Sequence, residues 1–271
     1  MRKKFISLII AVCMLFCMSI DAFAVPAVTG GFAGINNYSY CEFGNRAGAS
    51  YVANLNSALV IMDSLGKIDY TLSYMKQNNN VAVSNCTGSG ATTIFAYSGH
   101  GIVYNTTANN ALHVNYNSSQ KSHSSLGEKT STSINKLTTS TRFNHKYVIL
   151  YTCNQLTNNG STNKANNILK MMNGTRLICG FASTMYLDSR EATRFVQNMD
   201  DMTIINAYLD AANRYQSQRS DGDSIARIVG YNAAKYDRIT TSYSSAPSAA
   251  NNLSSFSILK TLTIPHDGVK I

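Results

Sequence analysis

The chain has 271 residues, 44% of them hydrophobic and 14% charged, with 23 Lys and Arg against 14 Asp and Glu for a net charge of +9. Such a length and apolar share suit one large α/β domain with a sizeable core and exclude a disordered or fibrous chain. The cations are scattered and not interleaved with aromatics, which argues against a nucleic-acid surface.

Residues 1–24 read as a secretion signal. Arg2-Lys3-Lys4 is followed by an uncharged apolar stretch from Phe5 to Ile20 and by Ala22-Phe23-Ala24, which has the small-x-small form of a cleavage site. The alternative is an uncleaved anchor, for which the stretch is slightly short. Neither Cys13 nor Cys17 follows a small residue, as a lipid-attachment cysteine should. Cleavage leaves a net charge near +7, and no later segment approaches the roughly 20 apolar residues of a membrane span. A secreted or extracellular product, free of the membrane once cleaved, is therefore expected.

After cleavage a first strand is predicted through Phe32-Ala33-Gly34-Ile35. A helix follows over 47–64, where Tyr51, Val52, Leu55, Leu59 and Met62 recur at helical spacing before Gly66. Ile68 to Tyr74 suggests a second strand, and residues 76–90 carry no periodic signal. The buried-strand run Thr93-Ile94-Phe95-Ala96-Tyr97 ends in Ser98-Gly99-His100-Gly101. A polar insert at about 105–144 comes next, predicted as a partly helical flap with Ile134 and Leu137 anchoring a short helix. A second buried-strand run, Tyr147-Val148-Ile149-Leu150-Tyr151, ends in Thr152-Cys153-Asn154. A helix over 163–172, a strand over 176–181, helices over 191–215 and 223–236, and an edge strand from Phe256 to Ile264 complete the order. Alternating strands and helices predict an α/β fold with a mainly parallel central sheet.

Four cysteines lie beyond the signal. Cys179 falls inside an apolar run and reads as a buried thiol, whereas Cys41 and Cys86 sit in polar surroundings and are candidates for a disulfide whose distance the sequence does not give. No C-x-x-C pair suggests a metal. Asp221-Gly222-Asp223 lacks the rest of a calcium loop and reads as a turn and helix cap. No metal or cofactor is expected, and calcium activation has no supporting motif. His113, His123, His145 and His266 read as solvated.

That leaves His100 and Cys153, each just past the carboxyl end of a buried strand, where sites in parallel α/β sheets lie. A thiol is only a few per cent ionised at neutral pH, so a nucleophilic cysteine needs a base to take its proton, and an imidazole serves.

The apolar strand ending in Ser98-Gly99-His100-Gly101, followed about 50 residues later by an apolar strand ending in Cys, resembles the caspase-like superfamily of cysteine peptidases, which includes caspases, metacaspases, legumain, gingipain and clostripain. Ala165 and Leu169, the run Asn173-Gly174-Thr175-Arg176-Leu177-Ile178-Cys179-Gly180-Phe181, and Asn206-Ala207-Tyr208 with Ala211-Ala212 are similar to later segments of the bacterial members. The resemblance implies a three-layer fold with a sheet of about six strands covered by helices on both faces. It also implies a peptide or protein substrate, Cys153 as nucleophile, His100 as general base, and the backbone N–H groups of Gly101 and Cys153 as oxyanion hole. In relatives that cut after Lys or Arg, an Asp stands two residues before the nucleophile; here that position is Tyr151. Asp188 is then either a substitute pocket carboxylate or a cap before Ser189-Arg190-Glu191. A catalytically inactive extracellular binding or structural module is the alternative function, and the oligomeric state stays open.

Overall fold

The computed structural model describes residues 25–36, 48–81, 90–103, 110–113, 131–133, 142–158, 160–217 and 222–266. The signal segment, Cys41, Cys86, His123, Ile134, Leu137 and Asp221 lie outside them.

Five strands run parallel. They are β1 (Ala27–Gly34), β2 (Asp69–Gln77), β3 (Ile94–Ser98), β7 (Tyr147–Tyr151) and β8 (Leu177–Phe181), joined at one edge by antiparallel β9 (Ser224–Tyr231) and β10 (Phe256–Ile264). The sheet order is β10-β9-β8-β7-β3-β1-β2. Four helices are described: α1 (Gly48–Ser64), α2 (Thr162–Lys170), α3 (Arg190–Asn198) and α4 (Ile204–Gln216).

Strand alternation divides the core. Ile94 and Ala96 of β3, Tyr147, Ile149 and Tyr151 of β7, and Leu177, Cys179 and Phe181 of β8 pack on the face covered by α1, α3 and α4. Phe95, Tyr97, Val148, Leu150 and Ile178 point the other way, toward Ile168 and Leu169 of α2. Because both faces are covered, these strands read as unbroken apolar runs, and every residue of β3, β7 and β8 is buried. The result is an α/β fold with a mixed sheet, parallel at its centre, between helices on two faces. Seven strands replace the six expected, because residues 223–236 do not form the predicted helix.

Ser224–Tyr231 form β9 instead, followed by a short 3-10 turn over Asn232–Ala234. Ala226 and Ile228 alternate with Ile225 and Arg227, and the segment fits between β8 and β10 with a hydrogen-bonded ladder on each side. That tertiary slot outweighs the local helical pattern. Asp223 consequently caps no helix; its carboxylate accepts the His266 N–H at 3.3 Å and clips the start of β9 to the end of β10.

The predicted helix over 191–215 is also corrected, to α3 and α4. Thr203 starts α4 as an N-cap, its side chain accepting from the Asn206 N–H at 3.2 Å. His145 is not solvated but fully buried, its ring stacked on Phe95 at 4.6 Å with Nδ1 accepting from the Thr92 N–H at 3.2 Å. In the predicted partly helical insert, described residues 110–113 and 131–133 are strands: β5 (Asn110–His113) pairs with β4 (Gly101–Val103) and β6 (Ser131–Ser133) in a small antiparallel sheet. His266 is exposed and Cys179 buried, in line with the sequence.

Candidate active site

The sheet order reverses between β1 and β3, since the chain moves from β1 outward to β2 and then returns to the far side of β1. Clefts form beyond the carboxyl ends of strands at such a switch. The amino end of α1 arrives there. A Cβ on Gly48 would meet the Ile35 carbonyl at 2.5 Å and also the Ser98 carbonyl, so only glycine lets the helix start so close to β1 and β3.

His100 and Cys153 leave adjacent parallel strands at the same level. Ser98 pairs with Tyr151 across β3 and β7, so each residue stands two positions past one end of that pair. The Gly99 N–H donates to the Tyr151 carbonyl at 3.3 Å, which carries the pairing one residue further. His100 is 8% exposed and Cys153 is half-buried. Gly101 comes against the Cys153 segment: an added Cβ would meet the Cys153 carbonyl and, at 2.5 Å, Gln155 Nε2. The close approach of the two backbones therefore needs glycine at 101.

Past Cys153 the chain turns sharply. Asn154 adopts φ +61°, a region Asn tolerates better than most residues, and its N–H donates to the Ser183 carbonyl at 2.8 Å. The turn is held by the Leu156 N–H on the Phe181 carbonyl at 2.9 Å and by Gln155 Nε2 on the Cys153 carbonyl at 3.2 Å. Cys153 thus projects from between β3 and the segment after β8. Its Sγ accepts the Met185 N–H at 3.4 Å. A backbone N–H has no signature in a sequence, so this partner was not legible there.

Tyr151 is fully buried. Its ring lies 4.8 Å from Tyr51 and 6.2 Å from Tyr208, and it packs with both into the core beneath Cys153. In this structure it underlies the site and presents no surface to a substrate. Asp188 is held by Arg190: its carboxylate takes the Arg190 N–H at 3.0 Å and the guanidinium at 2.5 to 3.0 Å. Partial burial raises the Asp188 carboxyl, but the hydrogen bonds and charge of Arg190 outweigh this and keep it below its usual range. These bonds are those of a residue closing the start of α3.

Glu191 lies in the first turn of α3. It is fully buried, and desolvation pushes its carboxyl up to about 8 despite a 2.6 Å hydrogen bond from Gln216 Nε2. Among the described residues no cluster of three His, Cys, Asp or Glu is arranged to hold a metal, and no helix is long and apolar enough to cross a membrane.

Residues 89–258 match the family model of a domain of unknown function, DUF6345. The chain belongs to that family. The DUF6345 segment begins just before β3 and ends within β10, so it contains both His100 and Cys153 and leaves β1, α1 and β2 outside. No curated protein matches the chain.

Proposed function

We propose that this DUF6345 chain is a secreted caspase-like cysteine endopeptidase. The observation that carries the reading is the in-register pairing of Ser98 with Tyr151, which brings the residues following β3 and β7, His100 and Cys153, to one level at the carboxyl edge of the sheet. The family match names no activity, so support comes from this geometry and from the sequence resemblance. In the proposed reaction His100 takes the thiol proton and Cys153 Sγ attacks the substrate carbonyl carbon. The Gly101 and Cys153 N–H groups receive the resulting oxyanion, a contribution of about 3 kcal/mol per donor. The amine then leaves with the proton from His100, and water hydrolyses the thioester.

The proposed specificity is for an uncharged side chain before the cut. Tyr151 stands where relatives carry an Asp, and the Asp188 carboxylate is paired with Arg190. An Arg or Lys entering a pocket without a free carboxylate would be a desolvated, unpaired cation. The test is a fluorogenic peptide library varying the residue before the cut, run on the protein without its first 24 residues and on Cys153→Ala. Turnover that disappears in the variant supports the reading. Equal turnover in both, or none on any peptide together with thiol labelling as slow as in the denatured chain, refutes it.

A further inference from the structure

The thiol of Cys153 accepts the peptide N–H of Met185, and the loop bearing that peptide is held by a buried side chain from a distant helix. Gln216, the last residue of α4, is fully buried and uses both ends of its amide on the backbone of Tyr186. Oε1 accepts the Tyr186 N–H at 2.6 Å, and Nε2 donates to the Tyr186 carbonyl at 3.0 Å. This is the pairing one strand residue offers another, supplied by a side chain. Nε2 also donates to Glu191 Oε2 at 2.6 Å, so the amide is oriented from behind by a second buried group. Ser224 Oγ lies 3.4 Å from Gln216 Oε1, and the Tyr51 hydroxyl steadies the same loop by accepting the Asp188 N–H at 2.6 Å and donating to the Tyr186 carbonyl at 3.3 Å.

We infer that Gln216, oriented by Glu191, is a positioning residue that holds the Met185 N–H on Cys153 Sγ and thereby favours the thiolate. A hydrogen bond from a fixed N–H is stronger to a charged sulfur than to a neutral one. Its contribution depends on the donor staying aimed while the sulfur changes charge, and a loop tied at Tyr186, one residue away, keeps it so. The inference rests on the peptidase reading only in taking Cys153 as the reacting thiol.

The test is the pH profile of Cys153 alkylation by iodoacetamide, followed by mass spectrometry on the peptide that carries it, in the protein without its first 24 residues. Gln216→Leu should slow alkylation at neutral pH about three- to tenfold and move the midpoint upward, while the rate at high pH is kept. A purely structural change alters the high-pH rate through access and leaves the midpoint in place. Glu191→Gln, which retains an acceptor for Gln216, should keep the wild-type midpoint, and Glu191→Leu should shift it as Gln216→Leu does. If Gln216→Leu does not fold, Tyr51→Phe serves in its place, with a smaller shift in the same direction. A folded Gln216→Leu, or Tyr51→Phe in its place, with the wild-type midpoint overturns the inference. If His100→Ala moves the midpoint but the Gln216 and Tyr51 variants do not, the positioning role fails alone. A wild-type midpoint equal to that of a free thiol, unmoved by any of them, overturns the peptidase reading as well.

Discussion

Cys153 can be changed at little structural cost, because it is half-buried at a strand end and fills little core volume. Cys153→Ala should keep the thermal midpoint of the wild type and lose at least about a thousandfold in hydrolysis, measured with the best peptide of the library. His100→Ala interrupts the same step, so the double variant should lose little more than either single one; losses that multiply would show that the two act separately. Glu191 lends itself to a different measurement. Its carboxyl is held near 8 in the fold against an ordinary value of 4.5. Between those values the unfolded chain has given up the proton that the native chain keeps, so stability from this group is present at low pH and is lost as pH rises toward 8. Glu191→Gln cannot ionise. Its denaturant midpoint should overtake that of the wild type between about pH 5 and about pH 8, by the equivalent of a few kcal/mol; parallel pH dependences would rule this out.

At the scale of elements, α3 begins with a carboxylate closing its first turn. Asp188→Ala should cost about 1 kcal/mol in a denaturant titration, through loss of the acceptor for the Arg190 N–H, and leave the ranking of peptide substrates unchanged. A preference for Arg or Lys that vanishes in this variant would make Asp188 the pocket acid after all. The elements also differ in how visible they were. β3, β7 and β8 were plain in the sequence because burial on both faces demands continuous apolar residues. β9 was not, since Ile225, Ile228 and Val229 satisfy a helical spacing nearly as well as an alternating one. Its partners on either side decide the matter, and they come from residues 177–181 and 256–264, far away in sequence.

Across the whole molecule, the end of the sheet opposite Cys153 is fastened by a buried ion pair. Arg176 precedes β8 and makes a two-pronged contact with Asp237, at 2.5 and 2.8 Å, while the Tyr147 hydroxyl donates to the same carboxylate at 3.0 Å. Arg176 also lies 4.9 Å from the centre of the Tyr243 ring and 5.7 Å from that of Tyr231. The Ile204 N–H bonds the Asp237 carbonyl at 2.9 Å, which joins the start of α4 to the same point. Asp237→Asn leaves a buried guanidinium without its counter-charge and should destabilise the fold by about 3 to 5 kcal/mol. The alkylation midpoint of Cys153 should be unaffected wherever the variant remains folded, because the pair lies at the amino ends of β7 and β8. A change in that midpoint would show that the two ends are coupled.

The sequence by itself determined the α/β class, the parallel centre and the two strand-end residues, His100 and Cys153. Each depends on a local pattern: an apolar run of strand length, glycines beside His100, and polar residues where the chain leaves the sheet. Only the tertiary structure decided that Tyr151 is packed under the site, that Asp188 is held by Arg190, and that His145 lies in the core against Phe95. It alone brought Met185 to Cys153, and Glu191 and Gln216 to the loop behind it, residues that follow Cys153 by 32, 38 and 63 positions in the sequence. The physical reason is the same in each case. Periodicity reports which face of its own element a residue occupies, whereas the partner across that face is chosen by how distant elements pack, and a backbone N–H or a side-chain amide that copies one leaves no pattern to read.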